Sequence, residues 1–348
     1  MLPTANKQWR INGFSGFDSI VLKDGIVPPI GDLEVLVRWK YASLNYRDLV
    51  ISKNAYPLGA NDGMVVGSDG AGEVISIGAE VKLFKPGDRV TGIHLQTWQS
   101  GPLKAEDIDM AIGGKLDGVF QEYGVLPESA LIKVPETLDF QQSSTLAIAA
   151  VTAWNGLYGL RSKSLKADQW VLTQGSGGVS IFALQFAKAA GARVIATTSS
   201  NEKAKLLEDL GADHIINYKE IPNWGEEAKK ITGGIGVDQI IEVGGPGTLR
   251  QSLNAIKVEG VISLIGFMVD DVKGNAPKLL ETLYHACIVR GVLVASKEQF
   301  QEMNAFIDAN NIKPVMDPKI FEFTELKSAY QYMWDQKHFG KVTIKIAS

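Results

Sequence analysis

From Trp170 onward, short apolar runs alternate with amphipathic stretches that carry turn residues at their ends. The runs Trp170–Thr173, Arg193–Thr198, His214–Asn217, Val237–Glu242, Gly260–Gly266 and Cys287–Val294 are apolar nearly throughout. That pattern is expected of strands covered on both faces by helices. The stretches between them predict helices over Glu202–Leu210, Trp224–Thr232, Leu249–Lys257 and Leu279–His285. Strands joined by helical crossovers make a doubly wound, six-stranded parallel sheet.

The first part of the chain has another rhythm. Val35–Trp39, Glu73–Ile77, Arg89–Ile93, Phe120–Val125 and Leu131–Lys133 are short strands separated by turns such as Lys85-Pro86-Gly87-Asp88. This predicts a β-rich, partly open barrel. Ser143–Tyr158 reads as a helix bridging into the sheet. After Ser296 come a helix at Glu298–Asn310, a strand around Lys319–Glu322, a helix at Leu326–Gln336 and a strand at Lys341–Ile346. This tail is expected to return to the barrel. The expected organisation is therefore an α/β protein: residues 1–136 barrel, 137–296 sheet domain, 297–348 barrel again.

Chemistry enters at the first turn of the sheet. Trp170–Thr173 runs into Gly175-Ser176-Gly177-Gly178-Val179-Ser180 and then directly into an amphipathic helix. Glycines let the backbone turn tightly and bring N–H groups up to a pyrophosphate, and the helix N-terminus adds partial positive charge. The spacing is G-x-G-x-x-S, with the small Ser180 where helix and strand pack. Ligands of such sheets bind beyond the carboxyl ends of the strands. The turns at Gly244-Gly245-Pro246 and Gly266-Phe267 therefore join the candidate groove. After the second strand, Thr198-Ser199-Ser200 and Lys203 replace the acid that would accept a ribose 2′-hydroxyl. Hydroxyls and a lysine suit a 2′-phosphate, so NADP is expected over NAD. Ser199 or Ser200 can equally cap the following helix, and both roles can coexist.

Composition narrows the setting. Lys and Arg number 35 against 39 Asp and Glu, a net charge of −4, so no basic stripe for nucleic acid or membrane is expected. No segment approaches the ~18 apolar residues of a membrane span, and the N-terminus lacks a signal-peptide core. The single cysteine, Cys287, excludes an intrachain disulfide and a multi-thiolate zinc site. A reducing, cytoplasmic location is expected.

Several stretches taken in order resemble the medium-chain dehydrogenase/reductase superfamily, and within it the zinc-free quinone-oxidoreductase-like branch. They are Ala42–Asp48, Gly67–Gly78, Lys85–Val90, the glycine turn, Leu210–Asp213 and His338–Val342. The resemblance implies a GroES-like barrel plus a Rossmann sheet, with the active site in the cleft between them. It also places Asn45, Gly67-Ser68-Asp69 and Ile148 where zinc-bearing members carry their metal ligands. Neither Asn, Ser nor Ile is a competent zinc ligand. The four-cysteine lobe of those members would fall within Ile93–Gly118, which has no cysteine.

The resemblance puts Asn45 opposite the nicotinamide, where its NH2 can donate to a substrate oxygen. Tyr46 either relays a proton or packs in the site wall. Asp48 either orients Arg47 or contacts the ribose. Thr152 is expected near the carboxamide or bonded to its own helix, Asn217-Tyr218 near the adenine, and Lys341 near the cleft or in a structural role. Without a metal, hydrogen-bond donors must meet the negative charge that hydride transfer builds on oxygen, which suits a delocalised quinone or enone. The expected activity is an NADPH-dependent reductase of conjugated carbonyls. A metal-free alcohol/aldehyde oxidoreductase and a non-catalytic NADPH-binding protein are the alternatives. A homodimer paired through Cys287–Val294 is expected, as in the resembling proteins.

Overall fold

The computed structural model describes residues 2–270, 274 and 276–347. The chain forms two compact units: Met1–Val151 with Ser296–Ser348, and Thr152–Ala295. The first division thus falls after Val151, where the sequence pattern had put it after residue 136.

The N-terminal part of the first unit holds seven strands: β1 (Ala5–Ile11), β2 (Ile20–Ile26), β3 (Glu34–Ser43), β4 (Gly70–Ile77), β5 (Arg89–Gly92), β6 (Tyr123–Pro127) and β7 (Leu131–Lys133). The second unit holds β8 (Trp170–Gln174), β9 (Arg193–Thr198), β10 (His214–Asn217), β11 (Val237–Glu242), β12 (Ile256–Leu264) and β13 (Ile288–Gly291). The returning tail adds β14 (Met316–Glu322) and β15 (Lys341–Lys345) to the first unit.

In the first unit, β1 and β2 pair as an antiparallel hairpin that the hydrophobic pattern did not announce. The main sheet runs β14-β15-β3-β4-β5-β7, with β6 also paired to β3. Its core packs Trp39, Phe120, Phe321 and Tyr330, all fully buried, with Ile344 and Val342 of the tail. β15 pairs antiparallel with β3, Thr343 opposite Ser43. The extreme C-terminal strand is thereby fixed beside the segment that follows β3.

The second unit is a six-stranded sheet in the order β10-β9-β8-β11-β12-β13. Every pair is parallel. Chain order reverses direction between β8 and β11, the switch point at which such sheets bind ligands beyond the carboxyl ends. The architecture is a GroES-like domain plus a Rossmann-like sheet, an α/β fold.

Three local expectations are corrected. The expected helix Leu249–Lys257 stops at Ala255, and Ile256–Val258 join β12. Glu259, with φ of +62°, lies within that strand where its register against β11 shifts, between Ile256 and Val261. The barrel strand expected from Phe120 begins at Tyr123. The bridging helix is not continuous. It is an α-turn at Phe140–Ser143, a π-helical turn at Leu146–Ala150 and an α-helix at Val151–Tyr158. The Ala147 N–H donates to Asp69 Oδ1 at 2.8 Å rather than within its own ladder. A side chain entering the ladder is a known cause of such a distortion.

Candidate active site and cofactor cradle

The segment after β3 turns into the short helix Tyr46–Ser52. Asp48 Oδ2 accepts the Asn45 backbone N–H at 2.8 Å and so satisfies a donor at the helix start. Asp48 is buried, and Ser68 Oγ donates to its other oxygen at 3.3 Å. Burial pushes its carboxyl pKa up, against the opposing pull of the Arg47 guanidinium. Arg47 Nη1 lies 3.6 Å from Asp48 Oδ1 and donates to the Gly113 carbonyl at 3.2 Å. Its guanidinium carbon stands 5.1 Å from the Tyr56 ring centre. His94, buried near Arg47, is held well below the ordinary histidine pKa by burial first and the Arg47 charge second.

The centre of the cluster is Asp69, which is fully buried. Its Oδ2 accepts from Ser43 Oγ at 2.9 Å and from Asn45 Nδ2 at 3.2 Å, and faces Lys341 Nζ at 3.1 Å. Lys341 Nζ also donates to Asn45 Oδ1 at 2.6 Å and to the Leu44 carbonyl at 2.8 Å. Burial lowers the Lys341 pKa, and Asp69 opposes that shift. The sequence left Lys341 either near the cleft, among the candidate cofactor contacts, or in a structural role. In the structure its three protons meet three protein acceptors. Tyr46 lies half-buried, its ring parallel to that of Trp334 with centroids 6.4 Å apart.

Among the described residues, no group of three or more His, Cys, Asp or Glu is placed to hold a metal ion. The positions that the resemblance matches to zinc ligands read Asn45, Ser68, Asp69 and Ile148. An amide, a hydroxyl, one carboxylate and an alkyl chain are not a zinc donor set. The residues present do not fit the metal.

The second unit's cradle is built differently. β8 ends at Gln174, Gly175 adopts φ of +72°, and the helix Gly178–Ala189 begins after Gly177. Ser180 Oγ donates to the Gln174 carbonyl at 2.6 Å, tying helix to strand at the third motif position. A Cβ added at Gly177 would meet no atom within 4 Å, and Gly177 has an ordinary φ of −79°. Neither backbone strain nor internal packing demands glycine there. Free space beside a helix N-terminus is what close approach of a pyrophosphate requires, so these residues fit a dinucleotide. Gly244 and Gly266 contrast with it. A Cβ would lie 2.2 Å from Thr248 Oγ1 at Gly244 and 1.9 Å from the Val243 carbonyl oxygen at Gly266. Internal packing alone accounts for those glycines.

The remaining candidates follow the carboxyl ends of neighbouring strands. Ser200 caps the helix Asn201–Asp209, its Oγ accepting the Lys203 N–H. Ser199 precedes it, half-buried. Asn217 Nδ2 donates to Asn201 Oδ1 and Glu220 Oε1, and the adjacent Tyr218 is 41% exposed. Gly245, φ of +89°, packs against Gly266 and Phe267. Thr152 Oγ1 donates to the Leu293 carbonyl at 3.3 Å, just beyond β13. Ser176, Gly178 and Val179 lie in the turn and first helical turn as expected.

Sequence reasoning missed Glu242 and Gln174. Glu242 closes β11 fully buried, and five donors converge on it. Oε1 accepts the Gly244 and Gly245 N–H groups, each at 2.9 Å, and Thr248 Oγ1 at 2.6 Å. Oε2 accepts Gln174 Nε2 at 2.6 Å and Ser252 Oγ. Gln174 Oε1 in turn takes the Gly244 N–H at 3.1 Å. The pair braces the glycine turns after β8 and β11 together. A polar residue ending an otherwise apolar strand was the available signal, present at both positions.

Two family models match the chain. Residues 31–136 match the family described as alcohol dehydrogenase GroES-like domain, and residues 178–309 that described as zinc-binding dehydrogenase. A zinc-type alcohol dehydrogenase-like protein of Schizosaccharomyces pombe is 45% identical over 337 residues, 95% of this chain and 96% of its own. The NADPH-dependent alkenal/one oxidoreductase of Arabidopsis thaliana chloroplasts is 27% identical over 99% of this chain and 80% of its own. A crystal structure from Sinorhizobium meliloti, of a protein assigned to the alcohol dehydrogenases, superposes with a TM-score of 0.90. It is 35% identical, over 99% of this chain and all of that one. Fold and site together define a nucleotide-dependent oxidoreductase. The chain belongs to the medium-chain dehydrogenase/reductase superfamily, among its alcohol dehydrogenase-like members.

Proposed function

We propose that the protein is an NADPH-dependent reductase that works without catalytic zinc and delivers hydride to a quinone, an enone or another conjugated carbonyl. The observation that carries this reading is the hydrogen-bonded Asn45–Asp69–Lys341 cluster, whose Asn45 and Asp69 the resemblance matches to metal-ligand positions. When bound, the reduced nicotinamide supplies the hydride. Asn45 offers an N–H to the oxygen on which negative charge develops, and one well-placed donor of this kind is worth about 3 kcal/mol. That is sufficient help for a delocalised enolate or hydroquinone anion, and less than an alkoxide receives from a Lewis acid. Gly175, Ser176, Gly177, Gly178 and Val179 supply the pyrophosphate turn. The end of β9 carries hydroxyls and Lys203 rather than an acid, which supports NADPH over NADH. Tyr46 stacks on Trp334, which favours a wall-forming role over proton relay.

The side of β13 that has no strand partner among the described residues and the exposed Leu279, Leu280, Leu283 and Tyr284 that precede it in sequence support a homodimer. A single monomeric mass in light scattering at micromolar concentration would refute that. No helix among the described residues is long and apolar enough to cross a membrane. The lone cysteine supports a reducing, cytoplasmic location. The activity is tested by following NADPH oxidation with chelator-treated protein across quinones, enones and saturated aldehydes. Turnover on conjugated acceptors is expected; activity that appears only on adding zinc would overturn the reading.

A further inference from the structure

We propose that the Lys341 ammonium orients and polarises the Asn45 amide, so that a buried cation acts on the substrate oxygen at one amide's remove. This rests on the reading of Asn45 as the donor to substrate. Lys341 is 3% exposed and its Nζ has the Leu44 carbonyl, Asn45 Oδ1 and Asp69 Oδ2 within 3.1 Å. An ammonium has three protons and no acceptor, so none remains for a ligand. Lys341 is therefore a positioning residue.

What it positions follows from donor and acceptor chemistry. Asn45 lies between a group that only donates and a carboxylate, Asp69, that accepts. The amide oxygen must face Lys341 and the nitrogen Asp69, so its orientation is determined. Asp69 takes one amide proton at 3.2 Å, leaving the second Asn45 N–H as the donor available to a substrate. The charge-assisted bond at 2.6 Å to the amide oxygen also draws electron density from the nitrogen. Linked hydrogen bonds strengthen one another in this way, making the remaining N–H a better donor. The metal-bearing arrangement polarises the substrate oxygen directly. Here the cation is one amide removed, held by the pairing of β15 with β3.

Removing Lys341 alone leaves Asp69 buried and unpaired, so a misfolded Lys341→Met variant would decide nothing. The decisive variant is Asp69→Asn with Lys341→Met, which deletes both charges together. In the full-length protein its melting temperature should return to within a few degrees of wild type. Its kcat should stay at least tenfold low, while NADPH affinity stays within twofold. Lys341→Arg should recover part of kcat. A second readout needs no substrate: in 15N-labelled protein the Asn45 side-chain NH2 signals, assigned by their loss in Asn45→Ala, should move upfield in the double variant. Wild-type kcat with unmoved Asn45 signals would overturn the proposal. Full turnover by Asn45→Ala would instead defeat the donor reading, while an upfield shift in the double variant beyond that in Asp69→Asn alone would still establish the Lys341 coupling.

Discussion

The two sites solve opposite problems. In the first unit a cation, an amide, a hydroxyl and the Ala147 N–H close on Asp69. In the second unit the turn at Gly175 and Gly177 leaves space that no protein atom fills. One site is closed on itself except for the second Asn45 N–H, and the other leaves open space at a helix start. A closed charged cluster resists substitution because each member leaves a buried orphan when its partner goes. An open cradle tolerates substitution structurally and reports it in binding.

The sharpest break of that contrast is Lys341→Met. Removing one member of a buried ion pair typically costs about 3–5 kcal/mol, so a large drop in chemical-denaturation stability is expected. A loss under 1 kcal/mol would mean that Asp69 is solvated. Gly177→Val should behave in the opposite way. Its side chain enters the empty space, so melting should hardly change while NADPH affinity falls about 100-fold, a difference of about 2.7 kcal/mol. Equal melting and equal affinity would remove the cradle from the account.

A smaller effect is expected at the bracing carboxylate. Glu242→Gln puts an NH2 against donors from Gln174 and Ser252, and leaving one such buried group unpaired costs about 1–3 kcal/mol. Urea denaturation measures it, and a stability equal to wild type would show that the network rearranges freely. The smallest effect is a pH slope. His94 is kept neutral in the folded state by burial, with its pKa well below 6.5, so the unfolded chain binds the extra proton first. Stability should therefore fall as pH drops below 6.5, by at most about 1.4 kcal/mol per pH unit. His94→Gln should flatten that slope; an unchanged slope would assign it to other groups.

The same contrast explains what could be read in advance. The glycine turn, the six parallel strands and the hydroxyls after β9 were legible because their signals are local: period, spacing and residue type within one βα unit. Ser200 as a helix cap was legible for the same reason. The Asp69 cluster was only half visible. Asn45 and Asp69 stood out through the resemblance, but their union with Lys341 depends on β15 lying beside β3, a pairing across nearly the whole chain. The π-turn at Leu146–Ala150 was hidden for a related reason, since Asp69, 78 residues away, takes the Ala147 N–H. Glu242 was overlooked because a strand-ending acid reads as solvent-facing until the turn folds back over it.

The account stands on a dinucleotide binding to the open turn without help from a metal. Titration calorimetry of NADPH into chelator-treated wild-type protein tests this directly. The expected result is uptake of one dinucleotide per chain, with an affinity that added zinc leaves unchanged. No uptake, or uptake that requires zinc, would contradict it.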